Sequence, residues 1–245
     1  MRFRVRFKLE KENIPKDKNR FILSFFKSAF SNYDLDYYKY LYEEDKIKQK
    51  SFTFSVYLPK AEFTRDEIII KSKTFDLDYS AYEDYDALMF YNSILNILNK
   101  RVYLKNNSIT AIRLIKLDEK EITSDSVIFK TISPISVREH EGDNKNTWYH
   151  SLDTKEGQNI FYKNIRLQAI SQFGEGIEED LKDIKIKVIK NKIVKVKHYD
   201  IAIPANLAVF RMEAKPYLLD YFYKAGICSQ RSTGFGMLNI IEMEG

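Results

Sequence analysis

The sequence has very few of the residues from which disulfides and metal centres are built. Cys228 is the single cysteine, which excludes an internal disulfide and any metal site made of several cysteines. The three histidines, His140, His150 and His198, lack the close spacing typical of a zinc site. None of them lies in residues 1–139. We therefore expect neither a metal nor another cofactor.

Long apolar runs are missing as well. No segment approaches the roughly 20 consecutive apolar residues that a membrane-spanning helix needs. The chain begins with MRFRVR, which is a strand pattern and not the apolar stretch of a signal peptide. We therefore expect a cytoplasmic protein with no membrane partner. Aromatic residues are abundant, with 17 Tyr and 17 Phe among 245 residues, so the composition favours folded domains over a disordered chain.

The spacing of apolar residues divides the first half of the chain into six elements. Residues 2–9 alternate basic with apolar side chains, as a strand with one buried face does. Residues 21–30 and 85–98 carry apolar side chains at helical spacing. The predicted order is strand, helix, strand, strand, helix, strand, over residues 2–9, 21–30, 52–57, 67–73, 85–98 and 109–117.

The second half repeats this order in outline. The predicted elements are a strand at 126–132, a helix at 158–173, a hairpin at 184–197 that turns at 190–192, a strand at 207–212, a helix at 215–224 and a strand at 237–242. Because this is the ferredoxin-like order, we predict an α+β protein of two tandem ferredoxin-like domains. The predicted domains are residues 1–120 and 121–245, and the second contains the basic hairpin and a glycine-rich loop.

The glycine-rich loop, residues 226–237, holds three of the chain's eight glycines. Glycine permits close backbone approach and leaves amide groups able to bind an anion, and the polar side chains between the glycines suit phosphate or sugar oxygens. The loop therefore predicts a phosphate-rich partner. The predicted contacts are Ser229, Gln230, Arg231, Ser232, Thr233, Gly234 and Gly236. The alternative is that Gly226 only caps a helix and the other two glycines form a bulge before the last strand.

Positive charge is concentrated in the predicted hairpin. The net charge of the chain is only +5, but residues 181–198 contain seven lysines against one acidic residue. Alternation places Lys185 and Lys187 on one face of a strand and apolar residues on the other. Such a face can hold phosphates without reading their sequence. A face kept soluble by its charge is the alternative, and the same two interpretations apply to the basic face of residues 2–9.

Three segments, in order along the chain, share one resemblance. They are the start MRFRVR, residues 131–138 (TISPISVR), and the glycine-rich loop with its triplets GIC and GFG. Together they resemble the CRISPR-associated precursor-crRNA-processing endoribonucleases, with Cys228 in place of the second glycine of the family's loop. The resemblance implies binding of CRISPR repeat RNA. Arg138, which ends the second segment, is then an expected RNA contact.

The resemblance also implies one metal-independent cut at the 3′ side of the repeat. In that family the 2′-OH attacks the adjacent phosphodiester, which leaves a 2′,3′-cyclic phosphate and a 5′-OH. This step needs a proton acceptor, a proton donor and positive charge. The family's catalytic tyrosine, histidine and lysine correspond here to Lys27, Tyr42 and Lys50, which are therefore the predicted catalytic residues. Without the histidine, positive charge for the step is expected from Lys27, Lys50 and Arg231, with Tyr42 or Lys46 nearby.

The missing catalytic histidine predicts slow cleavage, because no group of near-neutral pKa stands in its place. The histidines elsewhere in the chain do not replace it. We expect His140 and His150 to be solvated, and His198 to contact phosphate or solvent.

Two alternatives stay open. A subunit of a CRISPR effector complex that binds repeat RNA without cutting it is favoured by the missing histidine. A ferredoxin-like interaction or regulatory module is the further alternative, and the lysine hairpin and the paired motifs stand against it. The expected partners are precursor crRNA and, in the first alternative, effector-complex subunits. The protein is expected to be a monomer or a homodimer.

Overall fold

A computed structural model describes residues 1–44, 49–140 and 146–244. The strands of the first half are β1 (Arg2–Leu9), β2 (Asn13–Pro15), β3 (Phe52–Tyr57), β4 (Glu62–Phe63), β5 (Glu67–Ile69), β6 (Thr74–Ala81), β7 (Arg101–Leu104) and β8 (Asn107–Lys116). Its helices are α1 (Lys18–Tyr33), α2 (Leu35–Lys39), which continues into a π-helical turn (Tyr40–Glu44), and α3 (Asp84–Asn96). Five strands form an antiparallel sheet in the order β3-β6-β1-β8-β7, and β2, β5 and β4 form a separate small sheet.

The second half has the strands β9 (Ser126–Thr131), β10 (Arg138–His140), β11 (Thr147–Tyr149), β12 (Lys185–His198), β13 (Ile201–Glu213) and β14 (Leu238–Glu244). Its helices are α4 (Lys155–Phe173), α5 (Glu178–Lys182) and α6 (Pro216–Ala225), with short 3-10 turns at Glu175–Ile177 and Arg231–Thr233. The main sheet has the order β12-β13-β9-β14, and β10 pairs with β11. Among the described residues no helix is long and apolar enough to cross a membrane.

Both main sheets have the strand arrangement of a ferredoxin-like domain. In each half the first core strand, β1 or β9, lies between the third and the fourth, and the second strand lies at an edge. A helix follows the first and the third core strand in both halves. The predicted tandem ferredoxin-like fold is therefore confirmed.

Each half also has its own apolar core. The first cluster of buried apolar residues extends from Phe3 to Ala111, and the second from Ile122 to Ile240. The proposed division at residue 120 falls between the two clusters. The exact domain limits stay a prediction.

Helix α1 is held by capping at its start and by an aromatic face along its length. The carboxylate of Asp17 accepts a hydrogen bond from the backbone amide of Arg20, which is a standard N-cap. Phe25, Phe26 and other apolar residues of the helix are buried against the first sheet. The opposite face of the helix is exposed and carries Lys27. The packing of α1 therefore determines where this lysine lies.

The strand predicted at residues 67–73 is confirmed only over residues 67–69, and it does not lie in the main sheet. Residues 67–69 form β5 of the small sheet, and the strand that pairs with β1 in the main sheet is β6. This pairing places two aspartates beside two arginines of the basic face of β1. Arg4 Nε lies 2.6 Å from Asp78 Oδ1, and Arg6 Nε lies 2.8 Å from Asp76 Oδ1. Much of the positive charge on that face is therefore neutralised within the sheet.

The lysine-rich hairpin turns later than predicted. Strand β12 continues without a break to His198, and the turn is formed by Tyr199 and Asp200. Both turn residues have positive φ, 44° and 69°, as a tight hairpin turn requires. The turn predicted at 190–192 is wrong, because the irregularity there is a bulge between Val188 and Lys190.

A row of three donors on the first sheet ties the two halves together. Thr53, Ser80 and Arg2 are cross-strand neighbours on β3, β6 and β1, on the face opposite the helices. Each donates to a backbone carbonyl of the second half. The three hydrogen bonds are Thr53 Oγ1 to Phe235 O (2.8 Å), Ser80 Oγ to Lys224 O (2.7 Å) and Arg2 Nη2 to Leu238 O (2.7 Å). Since the accepting carbonyls belong to α6, the loop and β14, the row holds the end of the chain against the first sheet.

The glycines of the loop permit this close approach. A Cβ atom on Gly226 would lie 2.8 Å from Thr53 Cβ, and one on Gly234 would lie 2.8 Å from Phe54 Cε2. Gly226 also ends α6, with φ of +78°. A Cβ atom on Gly236, where φ is +70°, would lie 2.0 Å from the carbonyl oxygen of Ile227. Packing between the halves is thus one reason for glycine at positions 226 and 234, and packing within the loop is the reason at position 236.

Replacing a loop glycine should destabilise the protein. Gly236→Ala is expected to lower the free energy of unfolding by about 2–5 kcal/mol, because it combines a clash with a left-handed backbone conformation. Urea unfolding measures the change. Gly176→Ala is the matched control, since a Cβ atom there meets nothing within 4 Å, and it should stay within about 0.5 kcal/mol of the parent protein. Equal losses in both variants would contradict the packing argument.

Candidate functional site

The structure brings together the three predicted catalytic residues. Lys27 Nζ lies 5.0 Å from the centre of the Tyr42 ring, and Lys50 Nζ lies 4.4 Å from the same centre. Lys27 comes from the exposed face of α1, Tyr42 from the π-helical turn, and Lys50 from the segment before β3. Both distances are within the range of a cation–π contact. Lys46 lies outside the described residues.

Lys50 has a pKa close to neutrality. Burial and, to a smaller extent, the positive charge of Lys27 lower the pKa of its amine from 10.5 to about 8, while the carboxylate of Asp86 acts in the opposite direction. A group with this pKa is roughly one-tenth deprotonated at pH 7. The expectation that no group of near-neutral pKa stands in the place of the missing histidine concerns Tyr42, and the pKa of Tyr42 is raised.

Tyr42 stays a neutral phenol. Burial and the nearby Tyr199 and Tyr38 raise the pKa of its hydroxyl well above the usual value. The hydroxyl is buried and has no hydrogen-bond partner among the described residues. Tyr42 therefore contributes its ring, which contacts both ammonium groups, and its hydroxyl cannot act as a base near neutral pH.

Asp86 is a part of the site that sequence reasoning missed. It lies in the first turn of α3 and is 8% exposed. Its two carboxylate oxygens accept hydrogen bonds from Tyr37 Oη (2.9 Å) and Ser51 Oγ (2.7 Å). Ser51 directly follows Lys50, so the buried carboxylate holds the chain at the lysine. The only sequence signal was an acidic residue among apolar ones at a helix start.

A cleft of about 430 Å³ opens beside Lys50, at the junction of the two halves. The first half contributes Tyr40 and Tyr85 to its wall, and the second half contributes Gln172 from the end of α4. Gln172 Nε2 donates to Glu83 Oε1 across the junction at 2.8 Å. The cleft therefore combines one amine, carboxylates, an amide and aromatic rings.

Arg231 is buried and connects the glycine-rich loop to this cleft. It is 5% exposed, and its Nη1 donates to Tyr221 Oη at 3.3 Å and to Ala225 O at 3.4 Å. Its Nη2 donates to Gln49 Oε1 at 3.1 Å. Gln49 lines the cleft next to Lys50. Arg231 thus connects the loop to Gln49, the residue before Lys50. Its contact with RNA stays a prediction.

The glycine-rich loop and residues 131–138 form one packed unit. Ser136 Oγ donates to Gln230 Oε1 at 2.8 Å, and Ser229 Oγ donates at 3.2 Å to Asn164 Oδ1, which also accepts from the backbone amide of Arg138. Thr233 Oγ1 donates to the Gln230 carbonyl, and Ser232 is half-buried. The RNA contacts predicted for these residues and for Gly234 and Gly236 stay predictions.

The backbone amides of the loop are largely used within the protein, whereas an anion-binding loop leaves its amides free for the anion. Six of its backbone amides donate within the protein, namely those of Ile227, Cys228, Thr233, Gly234, Gly236 and Met237. The expectation that the loop leaves its amides for an anion is wrong for these six. Cys228 has φ of +72°, so it keeps the left-handed conformation that favours glycine at this position.

The lysines of β12 form an exposed row. Lys185 and Lys187 pair with Glu213 and Arg211 on β13 and lie on the outer face of the second sheet. Lys190 continues that row because the bulge restores the register. Lys185 Nζ lies 3.6 Å from Glu213 Oε2, an exposed ion pair that leaves most of the charge of the row unneutralised. Contact of Lys185 and Lys187 with RNA stays a prediction.

The histidines lie away from the lysine site. His198 is 4% exposed and packs against the Phe235 ring at 5.5 Å, and burial lowers its pKa. The interpretation of His198 as a contact for solvent or phosphate is therefore wrong. His140 is exposed, as expected. His150 is instead hydrogen-bonded, with Nε2 2.9 Å from Glu139 Oε2.

One group of side chains could hold a metal ion. Ligand atoms of Glu139, His150 and Glu156 all lie within 4.8 Å of one another. Glu156 is in the first turn of α4, whereas Gln172 of the cleft is at its other end, about 24 Å away at 1.5 Å per residue. A metal bound there would not reach the lysine site.

The pKa of Lys50 should respond to both of its charged neighbours. Lys27→Gln is expected to raise it, because a like charge is removed, and Asp86→Asn is expected to lower it, because the opposing carboxylate is lost. NMR titration of lysine side chains labelled with ¹³C and ¹⁵N measures the pKa, and Lys50→Arg assigns the signal. Lys18, whose pKa burial also lowers to about 8, is the internal control and should not move. A Lys50 pKa that is the same in all variants would contradict the assigned causes.

Comparison with known proteins gives one consistent match. The family model for the C-terminal part of CRISPR associated protein Cas6 matches residues 117–240. A CRISPR-associated endoribonuclease-like protein Cas6 from Pyrococcus furiosus is 33% identical over 131 residues, which are 51% of this chain and 52% of that protein. The chain thus spans about half the length of the curated relatives it matches.

Solved structures resemble the whole chain. The product of a Cas6-related gene from Pyrococcus furiosus has a TM-score of 0.83 and 24% identity, with 100% of this chain and 99% of that chain covered. A RAMP protein that binds different RNA substrates has a TM-score of 0.80 and 21% identity, with 99% and 100% covered. At these identities the likeness shows the fold. The family model spans just over half of the 245 residues, and the chain therefore belongs to the Cas6 family of CRISPR-associated proteins.

Proposed function

We propose that this protein is a metal-independent endoribonuclease that binds CRISPR repeat RNA and cuts the precursor transcript once per repeat. The observation that carries the proposal is the contact of Lys27 and Lys50 with Tyr42, in a member of the Cas6 family. Of these three residues, Lys50 also lines the cleft. Family membership argues against the interpretation as an ordinary interaction module.

The proposed chemistry is an in-line attack by the 2′-OH on the adjacent phosphorus, in which the oxygen of the 2′-OH bonds to phosphorus and its proton passes to water. The bond between phosphorus and the 5′ oxygen breaks, and the products carry a 2′,3′-cyclic phosphate and a 5′-OH. The ammonium of Lys50, with its pKa of about 8, donates a proton to the leaving 5′ oxygen. Lys27 offsets negative charge on the phosphorane. The ring of Tyr42 positions both ammonium groups.

The remaining predicted contacts position the RNA in this proposal. The exposed lysine row of β12 holds phosphates, and the unit of Arg138 and the polar loop residues binds the backbone near the cut. Arg231 acts indirectly, since it fixes Gln49 beside Lys50. The protein works as a monomer or homodimer in the cytoplasm, and its substrate is precursor crRNA.

A second candidate function is repeat-RNA binding without cleavage, as a subunit of an effector complex. The observation that favours it is the absence of histidine from residues 1–139, which leaves Tyr42 where the family has a histidine. Because Tyr42 cannot exchange a proton near neutral pH, cleavage depends on Lys50 alone.

Incubation with RNA in EDTA separates the two candidates. The purified protein is expected to cut its host's repeat RNA once in EDTA, and a 2′-deoxy nucleotide before the cut should abolish the product. Lys50→Ala should slow the cut by about 10²–10⁴-fold, the usual contribution of a general acid. Tight binding of uncut RNA would establish the second candidate. Loss of cleavage in EDTA would contradict metal independence.

The lysine row should determine how strongly RNA affinity depends on salt. Replacing Lys185 and Lys187 by glutamine is expected to reduce the slope of log affinity against log salt by about 1.4–1.8, since each phosphate contact contributes about 0.7–0.9. Lys182→Gln is the matched control, because Lys182 is paired with Glu179 on α5, outside the row. An unchanged slope in the double variant would place the RNA elsewhere.

A further inference from the structure

The cleft beside Lys50 has a composition that suits a nucleobase better than a phosphate. Among the described residues of its wall, Lys50 is the one basic side chain, and Glu83 and Asp86 contribute carboxylates. Carboxylates repel phosphate, whereas they accept hydrogen bonds from the N–H groups on the edge of a base. The volume of about 430 Å³ is within the range of small-molecule sites.

Two tyrosines give the cleft aromatic surfaces on which a base can stack. Tyr85 is 59% exposed and Tyr40 is 36% exposed, although both line the cleft. Both rings pack on the buried ring of Tyr37, whose centre lies 5.6 Å from that of Tyr85 and 6.3 Å from that of Tyr40. Tyr37 is fixed in turn by its hydrogen bond to Asp86. The two exposed rings therefore have a rigid support.

Polar groups at the junction of the halves face the same space. Gln172 Nε2 donates to Glu83 Oε1 at 2.8 Å, and this contact uses one amide hydrogen and one carboxylate oxygen. Each side chain keeps further capacity to accept a hydrogen bond. Acceptors on the cleft wall favour adenine, cytosine and guanine, whose exocyclic amino groups donate to them. Uracil is disfavoured because its one edge N–H lies between two carbonyl oxygens, which repel such acceptors.

We propose that this cleft binds the base of one nucleotide next to the scissile phosphate, turned out of the RNA strand, with Tyr85 and Tyr40 stacking on its ring and Glu83 and Gln172 accepting from its amino group. The inference rests on the proposed function. It makes the cleft the source of sequence specificity at the cut, because the lysine row recognises phosphates alone. Binding of this base would also hold the neighbouring phosphodiester at Lys50.

The test removes bases one at a time from the RNA. The probe is the host's repeat RNA with a 2′-deoxy nucleotide at the cut and a single abasic site at each of the three nucleotides on either side, and affinity is measured by fluorescence anisotropy. One position is expected to lose about 5- to 100-fold in affinity, the range typical of a base stacked on an aromatic side chain. At that position uridine should bind more weakly than adenosine, cytidine or guanosine.

Variants connect this position to the cleft. In Tyr85→Ala, the abasic site at the sensitive position should lower the RNA affinity no further. Leu88→Ala is the control, because Leu88 is an exposed residue of α3 outside the cleft, and this variant should behave as the parent protein. Glu83→Ala should abolish the discrimination against uridine, and Asp84→Ala, the neighbouring exposed carboxylate, should keep it.

The outcomes separate the inference from the proposed function. In one outcome the protein binds the RNA, and cuts it when the 2′-OH is present, while every abasic site lowers affinity equally in the parent protein and in Tyr85→Ala. That result would overturn the inference and leave the proposed function intact. The same holds if Tyr85→Ala and Leu88→Ala have equal effects. RNA that the parent protein neither binds nor cuts would overturn both.

Discussion

The row of Thr53, Ser80 and Arg2 is the constraint on which the rest of the structure depends. Three side chains of the first sheet donate to backbone carbonyls of the second half, and the glycines of the loop let the backbone come close enough to accept. Because carbonyl positions follow from the main chain, the contact fixes one half relative to the other. The cleft, whose walls come from both halves, exists only in that arrangement.

Burial then supplies the chemistry that residue types alone do not. A lysine in water is a charged group at neutral pH, but Lys50 is partly desolvated and lies beside a second positive charge, so its pKa is about 8. The same burial has the opposite effect on Tyr42, whose hydroxyl stays protonated. The π-helical turn and the segment before β3 thus bring an ammonium of lowered pKa into contact with the ring of a neutral tyrosine. In this account the lysine performs the proton transfer for which the family uses a histidine.

Much of the fold was predictable because alternation and helical spacing are local properties. The order of strands and helices followed from them in both halves, and the strand at 74–81 could have been found from Phe75, Leu77 and Tyr79 alternating with aspartates. The shared location of Lys27, Tyr42 and Lys50 followed only from the family resemblance. The hydrogen bond from Arg231 to Gln49 joins residues far apart in the chain, so no local pattern predicts it. The role of Asp86 and the pKa of Lys50 likewise depend on tertiary burial.

The most direct test of the central claim is the single-turnover cleavage rate as a function of pH in the parent protein and in Lys50→Arg. If the ammonium of Lys50 donates the proton, the parent rate falls as pH rises through about 8, because the donor is lost there. Arginine stays protonated over this range, so the variant should be slower and should show no such fall. The same fall in both proteins would contradict the account, since it would assign the titration to another group such as Lys18.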